Sequence, residues 1–220
     1  MEATLLILKT ELLEAVEQTA YMVTVAMAAT LVFGLLLGLL LYVTSNPLFL
    51  QSRTVNTISG AVVNVFRSIP FIILLVLLIP FTKLVAGTSI GPEAAVVPIA
   101  IASIAFYARL VEGAFSEVDK GVLEAGKATG ASLPLIIRRI LLVEAFPGLI
   151  RATTVTLVSL IGYSAMAGIV GGGGIGDLAI RFGYYRYETG VMLATVLLLI
   201  FLVQGIQLLG DTLARRFTRK

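Results

Sequence analysis

Long apolar runs, each closed by a short polar stretch, set the plan of this chain. No charged residue occurs between Gln18 and Ser52, and the run 21–43 supplies the ~20 apolar residues that carry a helix across a hydrocarbon core about 30 Å thick. A second run, about 58–82, holds Arg67, Ser68 and Pro70 in its first half and Pro80 near its end. Proline inside a span bends it and leaves a carbonyl without its helical partner. The turn GTSIGPE leads into a third run, about 93–115, which closes with Arg109 and Glu112. A fourth, about 147–170, is uncharged from Ala152 as far as Gly176, and a fifth covers about 190–210. The pattern predicts an all-α, polytopic membrane protein with five transmembrane helices, forming one domain over residues 1–220.

Two segments outside these runs have patterns of their own. Residues 4–20 place Leu5, Leu8, Leu12 and Val16 near one face, with Lys9 and the glutamates largely elsewhere, as expected of a short amphipathic helix lying on a membrane surface. Residues 117–146 carry Lys120, Lys127, Arg138 and Arg139 together with Pro134. Charges and a broken helix are uncompensated in hydrocarbon, so this insert leaves the bilayer. Within the first run, Gly34 and Gly38 form GLLLG, a small-residue pair that lets another helix approach closely.

Composition narrows the class. With 58% hydrophobic and 13% charged residues and a mean hydropathy of +1.02, the chain cannot present a water-facing surface. The net charge of +3 does not collect into one basic stripe, which argues against nucleic acid and for membrane topology. Five spans put the termini on opposite sides. Arg53, Lys120, Lys127, Arg138, Arg139, Arg215, Arg216, Arg219 and Lys220 then share one side, and Lys9, Lys83, Arg181 and Arg186 the other. The basic excess marks the cytoplasmic side, giving an N-terminus outside, a C-terminus inside and a cytoplasmic 117–146 loop. Arg67, Arg109 and Arg151 fall toward the cytoplasmic halves of their spans, where they either snorkel to the interface or line an inner vestibule. Cysteine and histidine are absent, which removes disulfides, Cys/His metal sites and catalysis by either residue. Glu2, Glu11, Glu14 and Glu17 replace the basic start of a cleaved signal, so the first span is expected to be permanent.

The insert contains EAGKATGASLPLIIRRILL. Ala125, Gly126 and Ala128 give a short helix a small-residue face able to press into a groove. Glu124 sits near its start, where the helix dipole favours it, and Gly130 and Pro134 end it. GKAT at 126–129 lacks the upstream spacing of a phosphate-binding loop, so no ATP site is expected here. GGGGIG at 171–176 satisfies G-x-G-x-x-G but follows a membrane span instead of a strand. It reads as a flexible external turn, Gly171, Gly172, Gly173 and Gly174, close to where an outside partner docks. On the fourth run Thr156, Ser159, Tyr163 and Met166 fall within ~80° of one another at helical spacing. With Ser68 and Pro70 they are the expected lining of a path, and a packed dimer interface is the competing reading of the same stripe.

The spacing of Glu124, Ala125, Gly130, Ile140 and Leu142 resembles the EAA loop of permease subunits of ATP-binding-cassette importers, with departures at Gly126 and Val143. Over nearly its whole length the chain is similar to the methionine importer permeases. The matching runs are NVFRSIPFIILLVLLIPFTK at 64–83, GTSIG at 87–91, VEAFPGLI at 143–150, IGYSAM at 161–166 and GDTLARRFTRK at 210–220. The resemblance implies a homodimeric permease in a bacterial cytoplasmic membrane, moving methionine with two cytoplasmic ATPase subunits and an extracytoplasmic methionine-binding lipoprotein. ATP and magnesium then belong to the ATPase, and this chain binds no cofactor. Coupling is implied for Glu124, Ala125, Gly126, Gly130 and Pro134. A stand-alone ion-coupled carrier or channel is the alternative, but no acidic residue sits mid-span to carry a proton. An intramembrane enzyme is disfavoured because the carboxylates lie at span ends.

Overall fold

The computed structural model describes residues 2–218. Arg219 and Lys220, counted above among the cytoplasmic charges, lie outside the described residues. The chain opens with α1 (Glu2–Ala29), a π-helical turn (Thr30–Gly34) and α2 (Leu35–Ser45), which run on without a break. From Thr4 to Ser45 this is one 42-residue helix, roughly 60 Å long at ~1.5 Å per residue, about twice a hydrocarbon core. The separate surface helix expected over 4–20 is therefore not observed. Nothing between Thr19 and Ser45 breaks the helix, and the apolar face finds protein. Leu8, Leu12 and Val16 pack on Ile175, Leu178, Phe182 and Val191, while Leu5 stays exposed.

The second run departs further from expectation. In place of one kinked span there is α3 (Arg53–Ser68), then an extended Ile69 and Pro70, then α4 (Phe71–Leu77) and α5 (Ile79–Ala86). α3 and α4 meet at 103°. Proline disfavours helical geometry in the residue before it, and Ile69 takes ψ 123°. α6 (Pro92–Ser116) starts on a proline and keeps Pro98 in its interior. Then come the insert, α7 (Lys120–Ala128), α8 (Leu133–Ile136), a π turn (Ile137–Leu141) and α9 (Leu142–Glu144), and the long α10 (Phe146–Gly168). α11 (Gly174–Leu178) runs into a π turn (Ala179–Tyr184), and α12 (Thr189–Phe217) closes the chain. Among the described residues four helices are long and apolar enough to cross a membrane, and the bent α3–α4 pair makes five if taken as one broken span.

Close approach at glycine seats the first long helix. A β-carbon on Gly38 would lie 2.6 Å from the Ala108 carbonyl oxygen and from Val111 Cβ, so GLLLG is a packing surface against α6, as its spacing predicted. Beside it Thr30 donates to the Ala26 carbonyl at 2.7 Å and meets the Ser103 hydroxyl at 2.5 Å. This satisfies two polar groups at a buried crossing.

The bundle has two distinct ends. At one, Tyr42, Phe115, Leu123, Ile136, Leu141 and Leu149 form a single cluster joined by Leu48 and Phe49 of the 46–52 turn. Phe146 meets Phe217 edge-on at 5.1 Å there. At the other, Arg181 pairs with Glu11 (3.0 Å) and Asp177 (3.2 Å), and the Gly91 amide donates to the Gly171 carbonyl at 2.9 Å.

Candidate docking helix and transmembrane cavity

The insert folds as a unit held from beneath. Asp119 caps α7 by accepting from the Val122 amide at 3.1 Å, which places Glu124 in mid-helix and not at its start. Gly130, at φ +78°, takes the left-handed turn that ends the helix, and Pro134 occupies the first turn of α8 instead of ending α7. The small residues divide between two faces. Ala125 and Ala128 are exposed with Glu124. Gly126 is buried, and a β-carbon there would lie 2.5 Å from Ile140 Cδ1. Gly126 therefore seats the helix on its own protein and does not belong to the docking face expected for it. The outward face carries Glu124, Ala125 and Ala128, with Val122 beside them 41% exposed. Leu123 below joins Phe115 at the end of α6 and Leu149 at the start of α10 in one cluster, so α7 is packed on the ends of both long helices.

A cavity of about 510 Å³ opens between α3, α4, α6 and α10, lined by Arg67, Pro70, Phe71, Phe106, Tyr163 and Met166 among others. Tyr163 stacks on Phe71 at 4.4 Å and 20° between planes. Three of the expected path residues, Pro70, Tyr163 and Met166, thus meet at one place. Ser68 does not line the cavity, and its hydroxyl donates to the Asn64 carbonyl at 2.7 Å. Ser159 also lies outside it and donates to the Val155 carbonyl at 2.9 Å. Thr156 is fully buried, with its hydroxyl bonded to the Ala152 carbonyl at 2.8 Å. It faces packed protein, which corrects its placement on a lining surface. The open face of α10 is instead Arg151, Val155, Gly162 and Met166, a set spaced within about 60° on a helix. Polarity was the misleading signal, because a threonine or serine in a helix can satisfy its own hydroxyl one turn back.

The glycine turn is also more constrained than its sequence suggests. Gly172 and Gly174 are buried. The Gly174 amide donates to Gln18 Oε1 at 2.7 Å and the Ile175 amide to Thr19 Oγ1 at 2.9 Å. Gly171, Gly173 and Gly174 all have positive φ, so the glycines serve a tight, packed turn against α1 and not a flexible docking loop. The exposed aromatic groups at this end include Tyr184, Tyr185 and Tyr187, at 61%, 67% and 87%.

A bundle of membrane-length helices, a broken span beside a cavity and a polar helical insert at one end are the architecture of a membrane transport subunit. The chain belongs to the family described as binding-protein-dependent transport system inner membrane component, whose family model matches residues 31–220. It is 50% identical over 205 residues to the probable D-methionine transport system permease protein of Vibrio cholerae, covering 93% of this chain and 91% of that protein. The methionine import system permease protein of Bacillus subtilis is 46% identical over 202 residues, at 92% and 91% coverage. A chain of the methionine ABC transporter solved in inward-facing conformations superposes with a TM-score of 0.91 at 46% identity, covering 94% of this chain and 96% of that one.

Proposed function

We propose that this chain is the methionine-moving permease of an ATP-binding-cassette importer, acting as a homodimer with two cytoplasmic ATPases. The observation that carries the reading is the superposition over 94% of the chain on the methionine transporter subunit at 46% identity. The exposed Glu124, Ala125 and Ala128 face of α7 supports the docking role, because the helix is anchored to α6 and α10 through Leu123. ATP and magnesium belong to the ATPase, and this chain supplies the handle and half of the path.

Lys120, Lys127, Arg138 and Arg139 lie on the insert, Arg53 follows the 46–52 turn packed on it, and Arg215 and Arg216 precede Phe217, which meets Phe146. At the other end Arg181 pairs with Glu11, two residues from Lys9, Arg186 lies over Phe182, and Lys83 follows Thr82, which lies beside Gly91 and Gly172. Basic residues favour the cytoplasm, so the insert end faces inward and the Arg181 end faces an extracytoplasmic methionine-binding lipoprotein. Nucleotide draws the ATPases together, α7 follows, and the cavity beside Pro70 changes the side to which it opens. That change is limited by the difference in affinity of nucleotide and partners for the two states.

Uptake of labelled methionine into vesicles holding permease, ATPase and delivery protein tests the reading. Saturable, ATP-dependent uptake competed by D- or L-methionine is the expected result, and uptake without an ATPase would instead favour a stand-alone carrier. For topology, a single cysteine placed at Lys127 should resist impermeant reagents in intact cells; labelling from outside would reverse the orientation.

A further inference from the structure

Arg67 is the only charged residue among those lining the cavity between α3, α4, α6 and α10. It shares the lining with Ala102 and Phe106, near the middle of the 25-residue α6, roughly 15–20 Å from either end of that helix at ~1.5 Å per residue. Of the two roles open to Arg67, snorkelling or lining an inner vestibule, its place in the cavity lining favours the second. No carboxylate lies within ion-pair distance of it among the described residues. Arg109, by comparison, is held by Glu112 at 2.6 Å and by Asn64 at 3.0 Å. A guanidinium without a counter-ion in a cavity lining has its fork free for a carboxylate.

The remaining walls are apolar and polarisable. Met166 is 44% exposed, Phe71 stacks on Tyr163, and Phe106 shares the same lining. One unpaired cation beside a thioether and aromatic faces suits a carboxylate-bearing molecule with an apolar, sulfur-containing tail. We propose that Arg67 receives the α-carboxylate of the amino acid in transit while Met166, Phe71 and Phe106 form the wall that its side chain follows. The proposal rests on the methionine-transport reading above. A single fork without a second cation holds the carboxylate firmly enough to guide it and loosely enough to let it leave.

The test uses the complete transporter in proteoliposomes, with wild-type permease, Arg67→Lys and Arg67→Gln. Arg67→Gln should lower labelled methionine uptake about tenfold or more, as loss of a hydrogen bond to a charged group does. Arg67→Lys should restore part of it, and ATP hydrolysis stimulated by the delivery protein should persist in both. Wild-type uptake by Arg67→Gln overturns the assignment. Parallel loss of uptake and of ATP hydrolysis in both variants also overturns it, by showing that Arg67 serves assembly or the conformational cycle. If the wild type itself takes up no methionine, the transport reading fails and the carboxylate assignment falls with it.

Discussion

Gly210 of α12 sits directly against Thr154 of α10, so that a β-carbon added to the glycine would collide with the threonine hydroxyl and methyl. Thr154 is 5% exposed and bonds the Ile150 carbonyl at 2.9 Å. Being β-branched and pinned, it cannot turn aside. Gly210→Ala should therefore force the two helices apart and cost about 1–3 kcal/mol, the usual penalty of overpacking. Combining it with Thr154→Ala should recover much of that loss. Thermal denaturation of the single and double variants in detergent checks the coupling; additive losses would mean that the two residues do not share this contact.

Arg109 ties α3 to α6. Its Nη1 meets Glu112 at 2.6 Å, and Nη2 donates to the Gly60 carbonyl at 3.1 Å and to Asn64 Oδ1 at 3.0 Å. A planar fork can serve these acceptors together, and a lysine ammonium on a flexible stem cannot. Arg109→Lys should keep some of the attraction to Glu112 and still melt lower than wild type. Arg109→Met should fall further, by roughly 1–3 kcal/mol, because the Asn64 and Glu112 groups lose a charged partner. Equal melting temperatures for wild type and the lysine variant would show that the fork is not what holds α3 in place.

Sequence periodicity read the long elements well, and polarity misread the site. α6 and α10 fall close to their predicted bounds because 93–115 and 147–170 are long, apolar and opened by Pro92 and Pro147. GLLLG was legible because only packing rewards two glycines at that spacing. The 103° turn at Pro70 was not, since a proline signals a break without fixing the direction of the chain beyond it. Thr156 looked like a pore group because helical projection gives a residue's angle and not its neighbour. Gly126 looked like docking surface for the same reason. The lining that sequence left out, Phe71 and Phe106, carries no polar mark and becomes visible only once α4 folds back beside α6.

Gln18 reaches across the Arg181 end of the bundle, with its Oε1 2.7 Å from the Gly174 amide. That amide opens α11, and an uncapped helical N–H near protein costs about 1 kcal/mol. Gln18→Leu should leave the fold intact while raising amide exchange at Gly174 and Ile175 several-fold, about tenfold for each ~1.4 kcal/mol lost. Unchanged protection there would mean that the turn is held by its packing alone.

The α7 helix separates two effects that a single substitution usually mixes. Glu124 is exposed and Gly126 is buried against Ile140, so a change at the first leaves the seat of the helix alone, while a change at the second touches how the helix sits. Glu124→Arg should abolish co-elution with the ATPase and leave the melting temperature of the permease alone. Gly126→Ala should be mild, because the clash is with the free end of the flexible Ile140 side chain, which can swing aside. Gly126→Leu, too large for that adjustment, should lift α7 from its seat and lose both stability and ATPase binding. Size-exclusion co-elution with melting curves on the same samples checks the separation. A permease that keeps its ATPase with arginine at 124, or that loses it with alanine at 126, would place the docking face elsewhere on the insert.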